Sequence, residues 1–266
     1  MVVGKVFQWF FKPTAKQQLE ASVGVAPTER LYVVGDIHGR NDLLVAMLDK
    51  IIEDAEAASD ERRPRFVFLG DYVDRGDHSA EVLDTLSTLK DESAQACEFL
   101  MGNHEAAMLA FLEDPVAGSA WLGWGGRQTV LSYGLDPVSR EPDETELCDI
   151  REKLQEKASI HLPFLKSLKR YIVSGDVICA HASLDPTLVL TAQPDMALLW
   201  GRRPSGQKSG MPGRRLIHGH FAEYEPVVRP ERICVDTGAC YSGRLTAVRL
   251  DEGAQFLQVD VLDLLS

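Results

Sequence analysis

The sequence predicts an α/β protein in which two facing mixed β-sheets are flanked by helices. Two observations carry this. Apolar strand runs alternate with amphipathic helical runs between residues 31 and 114, and short strand runs with brief breaks dominate from 171 onward. The first pattern builds a largely parallel inner sheet covered by helices. The second reads as a meander of short strands.

The elements follow in order. LYVVGD (31–36) is a buried strand, and NDLLVAMLDKIIEDAEAA (41–58) an amphipathic helix with Leu44, Met47, Leu48, Ile51 and Ile52 on one face. FVFLGD (66–71) and HSAEVLDTLSTLKDE (78–92) repeat the strand–helix unit. CEFLMGN (97–103) and HEAAMLAFLED (104–114) repeat it again. YIVSGDVICAHA (171–182) splits into two strands around Gly-Asp, and RLIHGH (215–220) is a further strand end. RICVDTG, RLTAVRL and QFLQVDV complete the expected antiparallel meander. Residues 31–266 are expected to form one domain after an N-terminal tail (1–30), with a cap-like insertion at about 115–165 that carries WLGWGG.

Composition narrows the class. Hydrophobic residues at 45 % and charged residues at 26 % suit a globular chain of 266 residues with a sizeable core. A net charge of −12 argues against nucleic acid or an anionic membrane as partner, yet leaves room for a local positive site made by metal ions. No apolar run approaches the roughly 20 residues that span a bilayer. The apolar start MVVGKVFQWFFKP is too short and too weakly basic for a signal peptide; it could pack on the domain or meet a partner, but a partly ordered tail through about Arg30 is expected. Five cysteines (Cys97, Cys148, Cys179, Cys234, Cys240) without a C-x-x-C pair give no disulfide framework, so a reducing cytoplasm is the expected compartment.

Against this background, LGDYVDRGDHS (69–79) stands out, with Asp71, Asp74 and Asp77 at every third position after an apolar strand. Carboxylates so close repel and resist desolvation unless water or a cation separates them. GDIHGR, GDYVDRG and GNHE each end a strand of the parallel series, and such strands discharge their loops on one edge, where ligands bind. Asp36, His38, Asp71, Asp74, Asn103 and His104 are therefore expected to converge. His181 in ICAHA, and His218 and His220 in HGH, also follow strand runs. Oxygen donors mixed with imidazoles suit manganese, iron, zinc or similar ions.

These motifs resemble the calcineurin-like metallophosphoesterases, and within them the phosphoprotein phosphatase branch with its bacterial-type serine/threonine protein phosphatases. The signature GD-x-HG, GD-x-VDRG, GNHE is present without substitution, with 35 residues from Asp36 to Asp71 and 32 from Asp71 to Asn103. AH, WGR, HGH and DTG-x-x-Y-x-GRLTA extend the likeness from about Leu31 to Asp251.

The resemblance implies the αββα sandwich of that family and a dinuclear metal centre, manganese first and iron or zinc as alternatives. Asp36, His38 and Asp71 would bind one ion, and Asp71, Asn103, His181 and His220 the other. Hydroxide held between the ions would attack phosphorus. His104 would be the general acid, oriented by Asp74. Arg75 and Arg202 would clamp phosphate, although either Arg202 or its neighbour Arg203 could face solvent instead. Tyr241 occupies the place of a substrate-pocket tyrosine, or packs. Asp77 and His78 read as loop and helix N-cap residues, His218 as a structural histidine, and the role of Asp236 is open.

One departure lies in the insertion. WLGWGG puts Trp124 where bacterial members often carry asparagine, and Arg127 follows. Arg127 is expected to pair with surface carboxylates. The family's activity then implies hydrolysis of phosphoserine or phosphothreonine in proteins. The alternative is symmetrical hydrolysis of diadenosine tetraphosphate, for which Trp121 and Trp124 could contact adenine. The glycines of 116–140 suggest a pliable wall and favour the phosphopeptide. A regulatory partner is not indicated by any residue.

Overall fold

The structure is a computed structural model that describes residues 24–201 and 211–265. Two five-stranded sheets face each other. The first takes β1 (Glu29–Val34), β2 (Arg63–Phe68) and β3 (Cys97–Phe99) in parallel. The second holds β4 (Tyr171–Ser174), β5 (Val177–Ala180), β6 (Arg215–His218), β7 (Val227–Arg229) and β8 (Arg232–Cys234) in the order β4-β5-β6-β8-β7. β9 (Arg244–Leu250) and β10 (Ala254–Asp260) return to the first sheet as an antiparallel hairpin, giving β10-β9-β1-β2-β3.

Alternation along β1 places its side chains. Leu31 and Val33 enter the layer between the sheets with Val67, Leu69, Cys179, Ile217 and Ile233. Tyr32 and Val34 face the helices instead. Because both faces are covered, the strand reads as a continuous apolar run rather than an alternating one. The helices are α1 (Asn41–Glu56), α2 (Ser79–Ser93), α3 (Asn103–Glu113), α4 (Arg127–Ser132), α5 (Glu144–Lys157), α6 (Leu162–Lys166) and α7 (Ala239–Ser242). α1 lies on β9 and β10, α4 contacts α2, and α5 contacts α3.

Three expectations change. β8 pairs parallel with β6 in the second sheet, so the meander reduces to the β9–β10 hairpin. On α1, Leu43 is buried, whereas Ile52 is 43 % exposed at the helix's outer edge. The expected tail falls mostly outside the described residues, but from residue 24 the chain is already attached. Gly24 O accepts from Asp176 N, Ala26 N donates to Ser174 Oγ at 3.1 Å, and Val25 packs into the inter-sheet layer. Cys97, Cys179 and Cys234 are buried free thiols, as their strands imply.

The α1 correction is testable by chemical or thermal unfolding. Leu44→Ala empties a fully buried position and should lower stability by about 2–5 kcal/mol. Ile52→Ala should change it by less than about 0.5 kcal/mol. Equal losses would contradict the orientation of the helix.

Candidate active site

The site forms where the strand ends meet, and its backbone is unusual. Five non-glycine residues among those described have positive φ: His38 (45°), Asp71 (52°), Asp74 (75°), Arg75 (70°) and His220 (63°). All five were expected site residues. Such conformations persist where surrounding structure over-determines them, and they cluster at functional sites. The restraint is visible here. Asp71 O accepts from the N–H groups of Ile37 and His38, and Tyr72 O from that of Gly39, so the loop after β1 hangs on the loop after β2. Two glycines keep the walls thin. A Cβ on Gly102 would stand 2.2 Å from Asp71 Oδ1, and one on Gly219 would fall 1.9 Å from Asp36 Oδ1.

Asp71 is the centre of the arrangement. Its Oδ2 lies 3.5 Å from His38 Nε2 and 3.9 Å from His104 Nε2, while Oδ1 lies 3.4 Å from His181 Nε2. Two donor groups share it, His38–Asp71–His104 and Asp71–His181–His220, each with its donor atoms within 4.8 Å of one another. Burial alone would raise the Asp71 carboxyl, but His181 and the other imidazoles around it hold it well below the ordinary range.

The donor set fits a cation. Asp71 raises His181 against its burial. In the neutral ring Nδ1–H donates to Leu69 O at 3.0 Å, which leaves a lone pair on His181 Nε2, beside His220 Nδ1. Asn103 Oδ1 sits 2.9 Å from the first and 3.0 Å from the second. Two imidazole nitrogens, the Asn103 amide and a carboxylate oxygen thus converge. Turning the amide over would replace this with N–H donation, whereas a positive ion at the focus satisfies the oxygen-in orientation. Burial lowers His38 to about 3 and His220 to about 4, which keeps both imidazoles neutral and able to ligate. Asp36 Oδ2 accepts from His220 N at 3.0 Å, and its buried Oδ1 has no hydrogen-bond partner. Burial, together with Asp236 and Asp71, pushes the Asp36 carboxyl well up, as expected of an anion awaiting a positive charge.

Beside the donors stands the proposed proton-transfer pair. His104 Nδ1 donates to Asp74 Oδ2 at 2.6 Å, and Asp71 and Asp74 raise the imidazole against its burial. Arg75 spans the mouth, with Nη1 2.8 Å from His38 Nε2 and Nη2 3.0 Å from His104 Nε2. Its guanidinium lies 5.7 Å above the ring of Tyr241, which is 73 % exposed. Arg202 lies outside the described residues. His218 bonds Gly219 O and Arg232 rather than the donors, and Asp236 accepts from the Gly238 N–H.

Several expectations need correction. Trp121 is buried and donates Nε1–H to Asp74 Oδ2 at 2.8 Å, so it cannot contact a base. Trp124 remains 45 % exposed, edge-on to Trp200 with ring centroids 5.3 Å apart. Arg127 binds the carbonyls of Val138, Ser139 and Arg140 rather than carboxylates. His78 sits at the N-cap position of α2 but bonds Glu81 with its side chain. The wall is not pliable throughout. A Cβ on Gly125 would meet Arg75 N at 2.6 Å, and one on Gly126 the Trp121 ring at 2.5 Å. Two residues escaped the sequence reading altogether. Glu105 takes the N–H groups of Gly102, Asp71, Tyr72 and Val73, and Thr129 holds Asp74 from the inserted segment. Glu105 has a local signal, an acid three residues after the helix N-cap. Thr129 has none.

This fold and donor set define a phosphoester hydrolase that works with divalent metal ions. The family profile described as calcineurin-like phosphoesterase matches residues 29–229, and the chain belongs to that family. The chain is 24 % identical to the asymmetrical bis(5'-nucleosyl)-tetraphosphatase PrpE of Bacillus velezensis over 237 residues, 83 % of this chain and 88 % of that one. It is 40 % identical to a serine/threonine-protein phosphatase of Arabidopsis thaliana over 77 residues, 29 % of this chain and 8 % of the other. Among solved structures, a protein serine/threonine phosphatase from Saccharomyces cerevisiae superposes with a TM-score of 0.57 at 16 % identity, covering 88 % of this chain and 81 % of that one. No helix among the described residues is long and apolar enough to cross a membrane.

Because Asp71 faces both donor groups, Asp71→Asn should weaken metal binding at both, whereas Asp36→Asn should weaken it mainly at one. Elemental analysis of the purified variants reads this directly. Full metal content in Asp71→Asn would contradict the shared carboxylate.

Proposed function

We propose that the chain hydrolyses phosphate monoesters of alcohols, with phosphoserine and phosphothreonine in proteins as its substrate class. The observation that carries this is the His104–Asp74 pair, buried and joined at 2.6 Å. An alkoxide leaving group needs a proton as its bond to phosphorus breaks. A phosphate or phenolate leaving group needs one far less, so a pair held this firmly suits serine and threonine esters.

Asp36, His38 and Asp71 would hold one ion, and Asp71, Asn103, His181 and His220 the second, with manganese the first candidate. When bound, the ions supply Lewis-acid charge to the phosphoryl oxygens and make water acidic enough to serve as a nucleophile. The chain's own groups do the rest. Arg75 turns its guanidinium from the imidazoles to two phosphoryl oxygens, a fork-to-fork match that an ammonium could not make. Tyr241 supports that guanidinium from below. His104 keeps a proton on Nε2 until the departing oxygen takes it, while Asp74 holds Nδ1–H and so fixes the ring.

A second reading, hydrolysis of a dinucleoside polyphosphate, is favoured by the Trp124–Trp200 pair. Gly125 O accepts from Arg75 N, so Trp124 is one residue from a group that touches the site, and Trp200 packs against it. A base stacked there would gain about 1–3 kcal/mol. The relatives named as tetraphosphatases, which match over most of both chains, support it too.

Catalytic efficiency with manganese separates the two. The proposal expects kcat/KM for phosphoserine peptides to exceed that for diadenosine tetraphosphate. His104→Asn should lower turnover of the peptide by roughly 10²–10⁴ and that of p-nitrophenyl phosphate much less. A dinucleotide ranked well above every peptide, with its efficiency lost in Trp124→Ala, would establish the second reading instead. Its products, two ADP or ATP with AMP, would then give the cleavage position.

A further inference from the structure

The Asp74 carboxylate is completely buried, and its partners come from two parts of the chain. His104 Nδ1, at the start of α3, bonds Oδ2. The other donors belong to the segment between α3 and α5. Trp121 Nε1–H donates to Oδ2 at 2.8 Å, and Thr129 Oγ1–H to Oδ1 at 2.6 Å. The Thr129 hydroxyl also accepts from Asp74 N at 2.9 Å, as does Ser79 Oγ at 3.0 Å. One hydroxyl therefore grips both the side chain and the backbone of a residue held at φ 75°. Only one rotation of the carboxylate satisfies Thr129 on one oxygen and Trp121 with His104 on the other.

We propose that Trp121 and Thr129 are positioning residues for proton transfer, so that the inserted segment completes the acid pair rather than merely walling the substrate groove. This rests on the reading of His104 as general acid. In that step water oxygen forms the new bond to phosphorus and the bond from phosphorus to the alcohol oxygen breaks. The Nε2 proton goes to the departing oxygen, and solvent later restores it to His104. A carboxylate that rotates away from Nδ1 lets the imidazole turn, and the proton no longer lies on the line to the leaving oxygen. Neither Trp121 nor Thr129 reaches the metal donors, so their influence should follow the leaving group and not the metals.

The contrast between Thr129→Val and Thr129→Ser tests this, since valine keeps the shape and serine keeps the hydroxyl. Each is assayed with saturating manganese on a phosphoserine peptide and on p-nitrophenyl phosphate, with metal content and melting temperature measured alongside. Thr129→Val should lower kcat on the peptide by about tenfold or more, a part of the full general-acid contribution. It should change kcat on the aryl phosphate by less than about threefold, leave KM and metal content alone, and be rescued in Thr129→Ser. Trp121→Phe should show the same selectivity and serves if the valine variant does not fold. Equal losses on both substrates, loss of metal, or no rescue by serine would overturn the proposal. His104→Asn provides the control. If it shows no leaving-group dependence, the acid reading itself fails; if it does and neither Thr129→Val nor Trp121→Phe follows it, only the positioning role fails.

Discussion

The buried carboxylate of Glu105 is the contact on which the centre depends. Oε2 accepts from Gly102 N at 2.9 Å and Asp71 N at 2.8 Å, and Oε1 from Tyr72 N at 2.7 Å and Val73 N at 3.1 Å. These donors belong to the ends of two neighbouring parallel strands, and none could be left unpaired in an interior site without a penalty of about 1–3 kcal/mol. Asp71 is thereby fixed at its positive φ with its carboxylate aimed between the imidazoles. Burial, with the nearby Asp71 charge, pushes Glu105 up to about 7, which shows how closely two acids are packed there. Four N–H groups and the surrounding histidines offset that repulsion.

From this clamp the remaining strand ends fall into place. The loop after β1 is bonded to Asp71 O, and His181 reaches across from the second sheet to Leu69 O. His220 N closes the circuit on Asp36 Oδ2. The first sheet supplies Asp36, His38, Asp71 and Asn103 and the second His181 and His220, so the facing of the sheets is part of the chemistry. The inter-sheet layer of Leu31, Val33, Val67, Cys179 and Ile217 holds the two halves in register. Displacing either sheet by an ångström would separate Asp71 Oδ1 from His181 Nε2 while leaving each fold half intact.

Much of this was legible in the sequence, and the exceptions have physical reasons. The aspartates and histidines follow apolar strands, a position that places them on the ligand-binding edge whatever the details of packing. Thr129 acts through a hydrogen bond across 55 residues of chain, which leaves no local signal, and of Glu105's four partners only Gly102, three residues back, leaves one. RIC has the same apolar character in either sheet, so the placement of β8 is decided by its partner β6 rather than by its own residues. Ile52 borders the helical stripe, but Leu43, Leu44, Met47 and Ile51 form the buried face of α1 and leave Ile52 at its outer edge. Glycine count misled most. Gly125 and Gly126 are small because Arg75 and Trp121 press against them, which stiffens the very segment that composition had suggested was pliable.

The central proposal is that one carboxylate, Asp71, would be shared by two metal ions. Anomalous diffraction from crystals grown with manganese measures this most directly. The account predicts two peaks on either side of Asp71, one within ligand distance of Asn103, His181 and His220 and the other of Asp36 and His38. A single peak, or an ion ligated by Asp74 in place of Asp71, would contradict it.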